Sequence, residues 1–417
     1  MNTTTGKVAF LFFVDAINNH NKYYRMSDNG DGTFTSEYGR VGAKGQIKKY
    51  PMNKWDVLYD QKIRKGYIDQ TDFHEVKIAV ADNGGYKPIP DAKVAAMIGE
   101  IQRYADIVMK TNYSVKANEV SQSMVDEARD ILFNLNRTKD RISVTLFNDE
   151  LLELFSVIPR AMKNVSDYLA HDMTDYDEIL NREQKLLDVM AQQVGQYTTL
   201  AQRKVQPQHL KNEGDPEITV LEAYGLDVRS CTPEEEANIK KFLTAESADL
   251  FDCAFRVHNK KTDKRFDDYC KREHIGKRDI HFLYHGSRNE NWWGITTGGL
   301  LLNPKAITNG KMFGNGSYFA PRAKKSIHYT DLRGEIYTKG NSDVGYLAVF
   351  KVGYKKPYDV YSWTSAYSRL CWKDMERMQT DATFAHKGTG MLVNDEIVVY
   401  REEQCTIQYL IRLKTRR

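Results

Sequence analysis

The sequence predicts a multidomain α+β protein: a small β-rich domain, then an all-α helical bundle, then a strand-dominated α+β domain. Three observations predict it. Apolar and aromatic runs broken by Gly, Asn and Asp fill the first part of the chain. Apolar residues then recur at three- and four-residue steps. β-Branched runs return after Pro216. The length, 417 residues, suits about three domains at roughly 150 residues each. At 41% hydrophobic and 28% charged residues, the composition excludes a fully disordered or collagen-like chain.

Val8–Val14 and Lys22–Met26 read as strands, with turn chemistry at Asp28-Asn-Gly-Asp-Gly32, and Thr33–Tyr38 continues as a strand. Gly39, Gly42 and Gly45 mark a tight turn or a close backbone approach. Trp55–Lys65 reads as a helix whose apolar face is Trp55, Val57, Leu58 and Ile63. Between Arg40 and Tyr67 stand eight basic residues (Arg40, Lys44, Lys48, Lys49, Lys54, Lys62, Arg64, Lys65) against Asp56 and Asp60. They form either a solvated face or a phosphate-contacting patch.

Ala81–Pro90 is linker-like. From Asp91 to Gln193 the spacing predicts helices with core stripes. These are Val94, Met97, Ile98, Ile101, Tyr104; Met124, Ala128, Ile131, Leu132, Leu135; Leu151, Leu152, Leu154, Phe155, Ile158; and Ile179, Leu186, Leu187, Met190. Pro159 closes the third helix. Amphipathic helices without intervening strands imply a bundle. Gln202–Pro216 reads as a second linker. Strands follow at Ile280–Tyr284, Gly345–Val352, Glu396–Tyr400 and Cys405–Leu413. Thr232-Pro-Glu-Glu235 is a capped helix start.

Net charge is +4, from 60 basic and 56 acidic residues, too weak to indicate nucleic-acid binding by bulk charge. Cys231, Cys253, Cys270, Cys371 and Cys405 are widely spaced with no C-x-x-C, which predicts free thiols in a reducing compartment and no metal site. No apolar run approaches the ~20 residues of a spanning helix, and the N-terminus is a poor secretion signal, so a soluble intracellular protein without a membrane partner is expected.

Three segments could carry chemistry. In Leu283-Tyr-His-Gly-Ser-Arg288 a strand delivers His285 and stops at Gly286, whose bare backbone a flat ligand can approach. In Gly310-Lys-Met-Phe-Gly-Asn-Gly-Ser-Tyr-Phe-Ala320 a glycine turn leads into a strand carrying Tyr318. It has neither Walker A order nor G-x-G-x-x-G. Lys324-Lys-Ser-Ile-His-Tyr329 follows, with Ser326 and Tyr329 three apart as on one helical face. Val393-Asn-Asp-Glu-Ile-Val-Val-Tyr400 opens a β-branched strand with Glu396, which alternation sends to the same face as Val398. Alone, the histidine reads more readily as a structural strand-end residue, Ser326 and Tyr329 as ordinary surface or core, and Glu396 equally as an edge charge or a site residue.

Together and in this order they resemble the catalytic domain of the poly(ADP-ribose) polymerases, the diphtheria-toxin-like ADP-ribosyltransferases. The family's His, Tyr, Glu triad falls on His285, Tyr318 and Glu396, with Gln404 at the family's distance beyond. Ser287, Arg288, Asn291, Gly294 and Gly299-Leu300 match around the histidine, and Lys325, Ser326 and Tyr329 match the nicotinamide pocket. Tyr38-Gly-Arg-Val-Gly42 resembles the WGR motif of the family's DNA-sensing domain, supported by Gln46, Tyr50, Asn21–Met26 and Lys65-Gly-Tyr67. Leu151–Pro159 and Leu186–Met190 resemble its helical regulatory domain. Three departures stand out: Tyr38 replaces the motif tryptophan, Leu301 stands where a basic residue is common, and Tyr361–Thr389 matches poorly.

The resemblance implies domains at 1–90 (WGR-like), 91–205 (helical regulatory) and 206–417 (transferase). It implies NAD as substrate without a metal, automodification, and a DNA-damage role. Partners would be DNA strand breaks, protein acceptors including the chain itself, and optionally an acceptor-completing protein. Tyr38, Gly39, Arg40, Lys44 and Lys65 would meet DNA. The compartment would be the nucleus in a eukaryote, or cytoplasm near DNA in a prokaryotic or phage setting. The resemblance also implies that the helical domain restrains catalysis until DNA binds, so that residues 206–417 alone would be active without DNA. The alternatives are a mono-ADP-ribosyltransferase, a catalytically silent DNA-break scaffold, and a nucleic-acid-independent enzyme.

Overall fold

The computed structural model describes residues 7–71, 86–205, 218–243, 245–302 and 311–415. These fall in two compact units. One draws on residues up to 71 and on 107–201; the other on 86–106 and the chain from 202 onward.

The N-terminal unit opens with a five-stranded antiparallel sheet, β1 (Val8–Asp15), β2 (His20–Asp28), β3 (Thr33–Arg40), β4 (Gln46–Pro51) and β5 (Ile68–Asp69), in the order β4-β3-β2-β1-β5. The Asp28–Gly32 turn joins β2 to β3, as its composition predicts. Helix α1 (Trp55–Arg64) forms where expected, but only part of its apolar stripe is core. Trp55 is buried edge-on against Phe34 with Ala9, Leu11, Tyr24 and Met26, whereas Val57 is 68% exposed and Ile63 also faces out. A sheet of this size covers only about one side of a ten-residue helix.

The first predicted helical stripe has an unexpected partner. Helix α2 (Ala92–Asn112) buries Val94, Met97, Ile98 and Ile101 in the core of the C-terminal unit, among Phe255, Tyr346, Phe350 and Leu410. Its last turns, with Met109, join the other unit. Helices α3 (Gln122–Thr138), α4 (Val144–Val157) and α5 (Tyr176–Val205) build the remaining bundle as their spacing predicts. Met124, Ala128, Leu132, Leu151, Phe155, Ile179, Leu187 and Met190 form one buried cluster. Helix α5 runs through Gln202–Val205, the start of the expected linker. Residues 206–216 and 81–85 of the two linkers lie outside the described residues.

The C-terminal unit has two sheets. After α6 (Val220–Tyr224), β6 (Leu226–Ser230), α7 (Pro233–Phe242), α8 (Ala245–Ala248), β7 (Phe251–Asn259) and α9 (Lys260–Arg272) comes β8 (Ile280–Gly286). Helix α10 (Trp292–Gly298), β9 (Ser317–Phe319), α11 (Ala323–Ile327), β10 (Val344–Gly353) and β11 (Pro357–Val360) follow. Then come α12 (Trp372–Met378), β12 (Ala382–Ala385), β13 (Glu396–Val399) and β14 (Cys405–Lys414). The sheet orders are β6-β7-β14-β10-β8 and β11-β12-β13-β9. A reciprocal Tyr284–Ala320 backbone pair joins the two sheets beside β8 and β9. The Thr232 hydroxyl caps α7 at Glu235, as expected. Strand β7 escaped the sequence reading although Ala254-Phe-Arg-Val257 buries three of its four residues.

Arg412 of β14 anchors α2 here. Its guanidinium donates to both carboxylate oxygens of Glu100, at 2.8 and 3.1 Å, and also pairs with Asp252. Ile101 is fully buried in this core. Ile101→Ala is expected to destabilise the C-terminal unit by about 2–5 kcal/mol. Urea unfolding followed by amide exchange in β10 and β14 measures it, and exchange in α3 and α4 should stay at the wild-type level.

Candidate active site

The site lies where β8, β9, α11 and β13 converge. Gly286 ends β8 directly against the backbone of α11. A Cβ there would sit 1.8 Å from the Ser326 carbonyl oxygen, so only glycine permits the approach. Ser326 is buried, and its hydroxyl donates to the Tyr284 carbonyl at 3.1 Å.

One residue before Gly286, the His285 ring lies against Trp292, Phe319 and Phe350. Its Nδ1 is 2.9 Å from the Tyr318 carbonyl oxygen, so Nδ1–H donates and Nε2 is left for another partner. Burial holds the imidazole below its ordinary pKa, partly offset by that hydrogen bond, and keeps it neutral near pH 7.

Tyr318 sits on β9, paired with Val398 of β13. Its hydroxyl donates to the Gly314 carbonyl at 2.7 Å and accepts from the Phe313 amide at 3.1 Å. Gly314 has φ +76°, and a Cβ would meet the Leu370 carbonyl at 2.1 Å, which accounts for one glycine of the motif. Burial first, and then neighbours including Tyr400, Glu396 and Tyr329, push the Tyr318 phenol far above its ordinary value.

Glu396 opens β13 and is buried. The Lys325 ammonium of α11 lies 2.8 Å from its Oε1, with both side chains at 10% exposure or less. Such a pair persists in the interior because each charge compensates the other. The downstream Gln404, fully buried, fixes the strand's exit. It accepts from the Tyr400 and Arg401 amides and donates to the Asp381 carbonyl at 2.8 Å.

Helix α11 ends at Ile327, so Tyr329 is carried on the following turn rather than on the helical face. Its ring is 41% exposed, and burial, then the Glu396 carboxylate and Tyr337, raise its phenol strongly. His285, Gly286, Tyr318, Lys325, Ser326, Tyr329 and Glu396 thus share one site.

The other expected residues stand around it. Ser287 accepts from Asn291 Nδ2 at 2.9 Å, and Gly294 is buried within α10. The Arg288 guanidinium is committed to Asp331 and to the Thr338 carbonyl, at 3.3 and 2.8 Å. Sequence reasoning missed Asp331, which holds both Arg288 and the Asn289 amide, because no local motif marks it.

The nucleic-acid candidates belong to the N-terminal unit. Tyr38 stacks on Tyr24 at 5.5 Å, and the Lys62 ammonium sits over the Tyr24, Tyr38 and Tyr67 rings. Arg40 is occupied within its own unit, donating to the carbonyls of Asn19, Met162 and Lys163. Gly39 packs against Gly45, while Lys44 and Lys65 are exposed. The described residues contain no cluster able to hold a metal ion and no helix long and apolar enough to cross a membrane. The five cysteines are free thiols.

Two tyrosines, Tyr318 and Tyr329, thus stand near a buried glutamate, and the comparisons identify the chain as an NAD+ ADP-ribosyltransferase. The family model of the poly(ADP-ribose) polymerase catalytic domain matches residues 235–337, and that of the WGR domain matches 8–74. Glu396 lies beyond the first match. Poly [ADP-ribose] polymerase 2 of Arabidopsis thaliana is 23% identical over 97% of this chain and 72% of its own length. Poly [ADP-ribose] polymerase 2-A of Oryza sativa subsp. japonica is 22% identical over 95% and 68%. Uncharacterized protein 101L of Invertebrate iridescent virus 6 is 29% identical over 42% of this chain and 74% of its own. The chain thus carries matches to the catalytic and WGR domain models, and is similar to poly(ADP-ribose) polymerases along most of its length.

Lys325→Met leaves the Glu396 carboxylate buried without its cation, and should cost about 3–5 kcal/mol. Urea unfolding measures this, and adding Glu396→Gln to the same chain should recover most of the loss.

Proposed function

We propose that the chain transfers ADP-ribose units from NAD+ onto protein, builds polymer, modifies itself, and is switched on by DNA breaks. The observation that carries the chemistry is the buried Glu396–Lys325 pair beside Tyr318 and Tyr329. The reaction breaks the bond between nicotinamide and the ribose anomeric carbon, forms a bond from that carbon to an acceptor oxygen, and passes through an oxocarbenium-like state. In the proposed roles, Tyr318 and Tyr329 sandwich the nicotinamide ring and limit its motion. The Gly286 backbone and the Ser326 hydroxyl bind its carboxamide. His285 offers Nε2 to an adenosine-ribose hydroxyl. Ser287, Arg288, Asn291 and Gly294 shape the remaining wall, Arg288 through the loop it ties.

Glu396 would bind a hydroxyl of the nicotinamide ribose and stabilise the developing positive charge. It would also accept the acceptor's proton as the new bond forms. Lys325 would hold the carboxylate in place and aimed. Nicotinamide leaves with the electron pair of the broken bond. Removing one such preorganised group lowers rate about 10²–10³-fold. Glu396→Gln is therefore expected to abolish chain elongation with NAD+ affinity within about two-fold of wild type. Labelled NAD+ on a denaturing gel, with calorimetry of NAD+ binding, reads both. Polymer from this variant would overturn the assignment, and a single sharp band from the wild type would favour transfer of one unit.

For the DNA partner, the supporting observation is the WGR domain with its exposed lysines Lys44 and Lys65. Arg40 is better read as a brace of its own unit, and Tyr38 as a ring packed beside Lys62. The proposed division is 1–90, 91–205 and 206–417, amended at the second piece because residues 91–106 pack in the C-terminal unit. The proposed site of action is the nucleus in a eukaryote, or the cytoplasm near DNA in a prokaryotic or phage setting. Truncation at residue 206 removes Val94, Met97, Ile98 and Ile101 from the catalytic core, so DNA dependence is tested on the whole chain. Short nicked or blunt DNA should raise activity, and DNA affinity should fall steeply with salt. Equal activity with and without DNA would remove the switch.

A further inference from the structure

The segment after Tyr329 is a braced loop rather than a plain connection. Asp331 accepts from Arg288 and from the Asn289 amide, and its own carbonyl accepts from the Ser342 amide at 2.9 Å. The buried Thr338 donates its hydroxyl to the Thr330 carbonyl at 2.6 Å, and its carbonyl accepts from Arg288 at 2.8 Å. The Arg333 amide donates to the Ser342 carbonyl, Gly334 to Gly340, and Gly340 to Glu335. The Glu335 carboxylate lies 2.6 Å from His328 Nδ1. Leu332 plugs the loop into the core.

On this rigid frame stands Tyr337, 60% exposed, its ring stacked on Tyr329 at 4.7 Å and 27°, with the His328 ring edge-on at 6.1 Å. An exposed aromatic held by so many backbone bonds presents a fixed surface at little entropic cost.

We propose that Tyr337 is a positioning residue for NAD+: it backs the Tyr329 ring and fixes the wall against which nicotinamide stacks. The proposal rests on the reading of Tyr329 as that wall. Arg288 then acts on the nicotinamide end indirectly, by clamping the loop that carries Tyr337. Because Tyr337 touches neither the reacting carbon nor Glu396 in this reading, its contribution falls on binding rather than on the chemical step.

The test uses the full chain. Binding of nicotinamide and of NAD+ is measured by calorimetry, and KM and kcat are measured with labelled NAD+, for Tyr337→Ala, Tyr337→Phe and Tyr329→Ala. Tyr337→Ala should weaken both ligands and raise KM about three- to ten-fold, the range of a lost aromatic pair, with kcat within two-fold of wild type. Tyr337→Phe keeps the ring and should restore wild-type values. If Tyr337→Ala leaves affinity unchanged or tightens it while Tyr329→Ala weakens it, the inference is wrong and the pocket reading stands. If neither alanine variant alters nicotinamide or NAD+ affinity, both fail together.

Discussion

Everything proposed for the catalytic unit depends on one buried ion pair. Glu396 opens a strand whose four residues are all buried, where an unpaired carboxylate would be costly. Lys325 compensates it from a five-residue helix that packs against the end of β8. Helix α11 reaches that position only because Gly286 lacks a side chain. The same close approach brings the Ser326 hydroxyl to β8 and carries Tyr329 onto the turn beyond. The geometry of the site and the pairing of its glutamate with Lys325 therefore follow from a single backbone contact.

The sequence made periodicity legible more readily than partnership. Three- and four-residue spacing correctly marked Val94, Met97, Ile98 and Ile101 as buried, but spacing carries no record of what a stripe packs against. These residues read as bundle and pack on the C-terminal sheet. Val57 fitted the helical face of α1 and stands exposed, because the small sheet beneath covers only Trp55 and its neighbours.

The candidate site was legible through short motifs that impose local geometry: the glycine ending β8, the glycine turn before Tyr318, and the acidic start of β13. What local motifs cannot encode is contact across long stretches of chain. Asp331 and Tyr337 sit on a loop with no signature, and their roles emerge only when Arg288 closes on it from 43 and 50 residues away. Arg40 shows the converse. Its motif suggested a phosphate contact, and its guanidinium is filled by carbonyls of a segment more than a hundred residues later.

The anchoring of α2 has a consequence for synthesis on the ribosome. Glu100 and Arg412 are separated by 312 positions, and the apolar stripe beside Glu100 shares a core with Leu410. Contacts of such high sequence separation form late. A growing chain must therefore carry Val94, Met97, Ile98 and Ile101 without their final partners until β14 has emerged, which leaves that stripe available to chaperones for most of translation. Completion of the catalytic core is thereby tied to completion of its last strand.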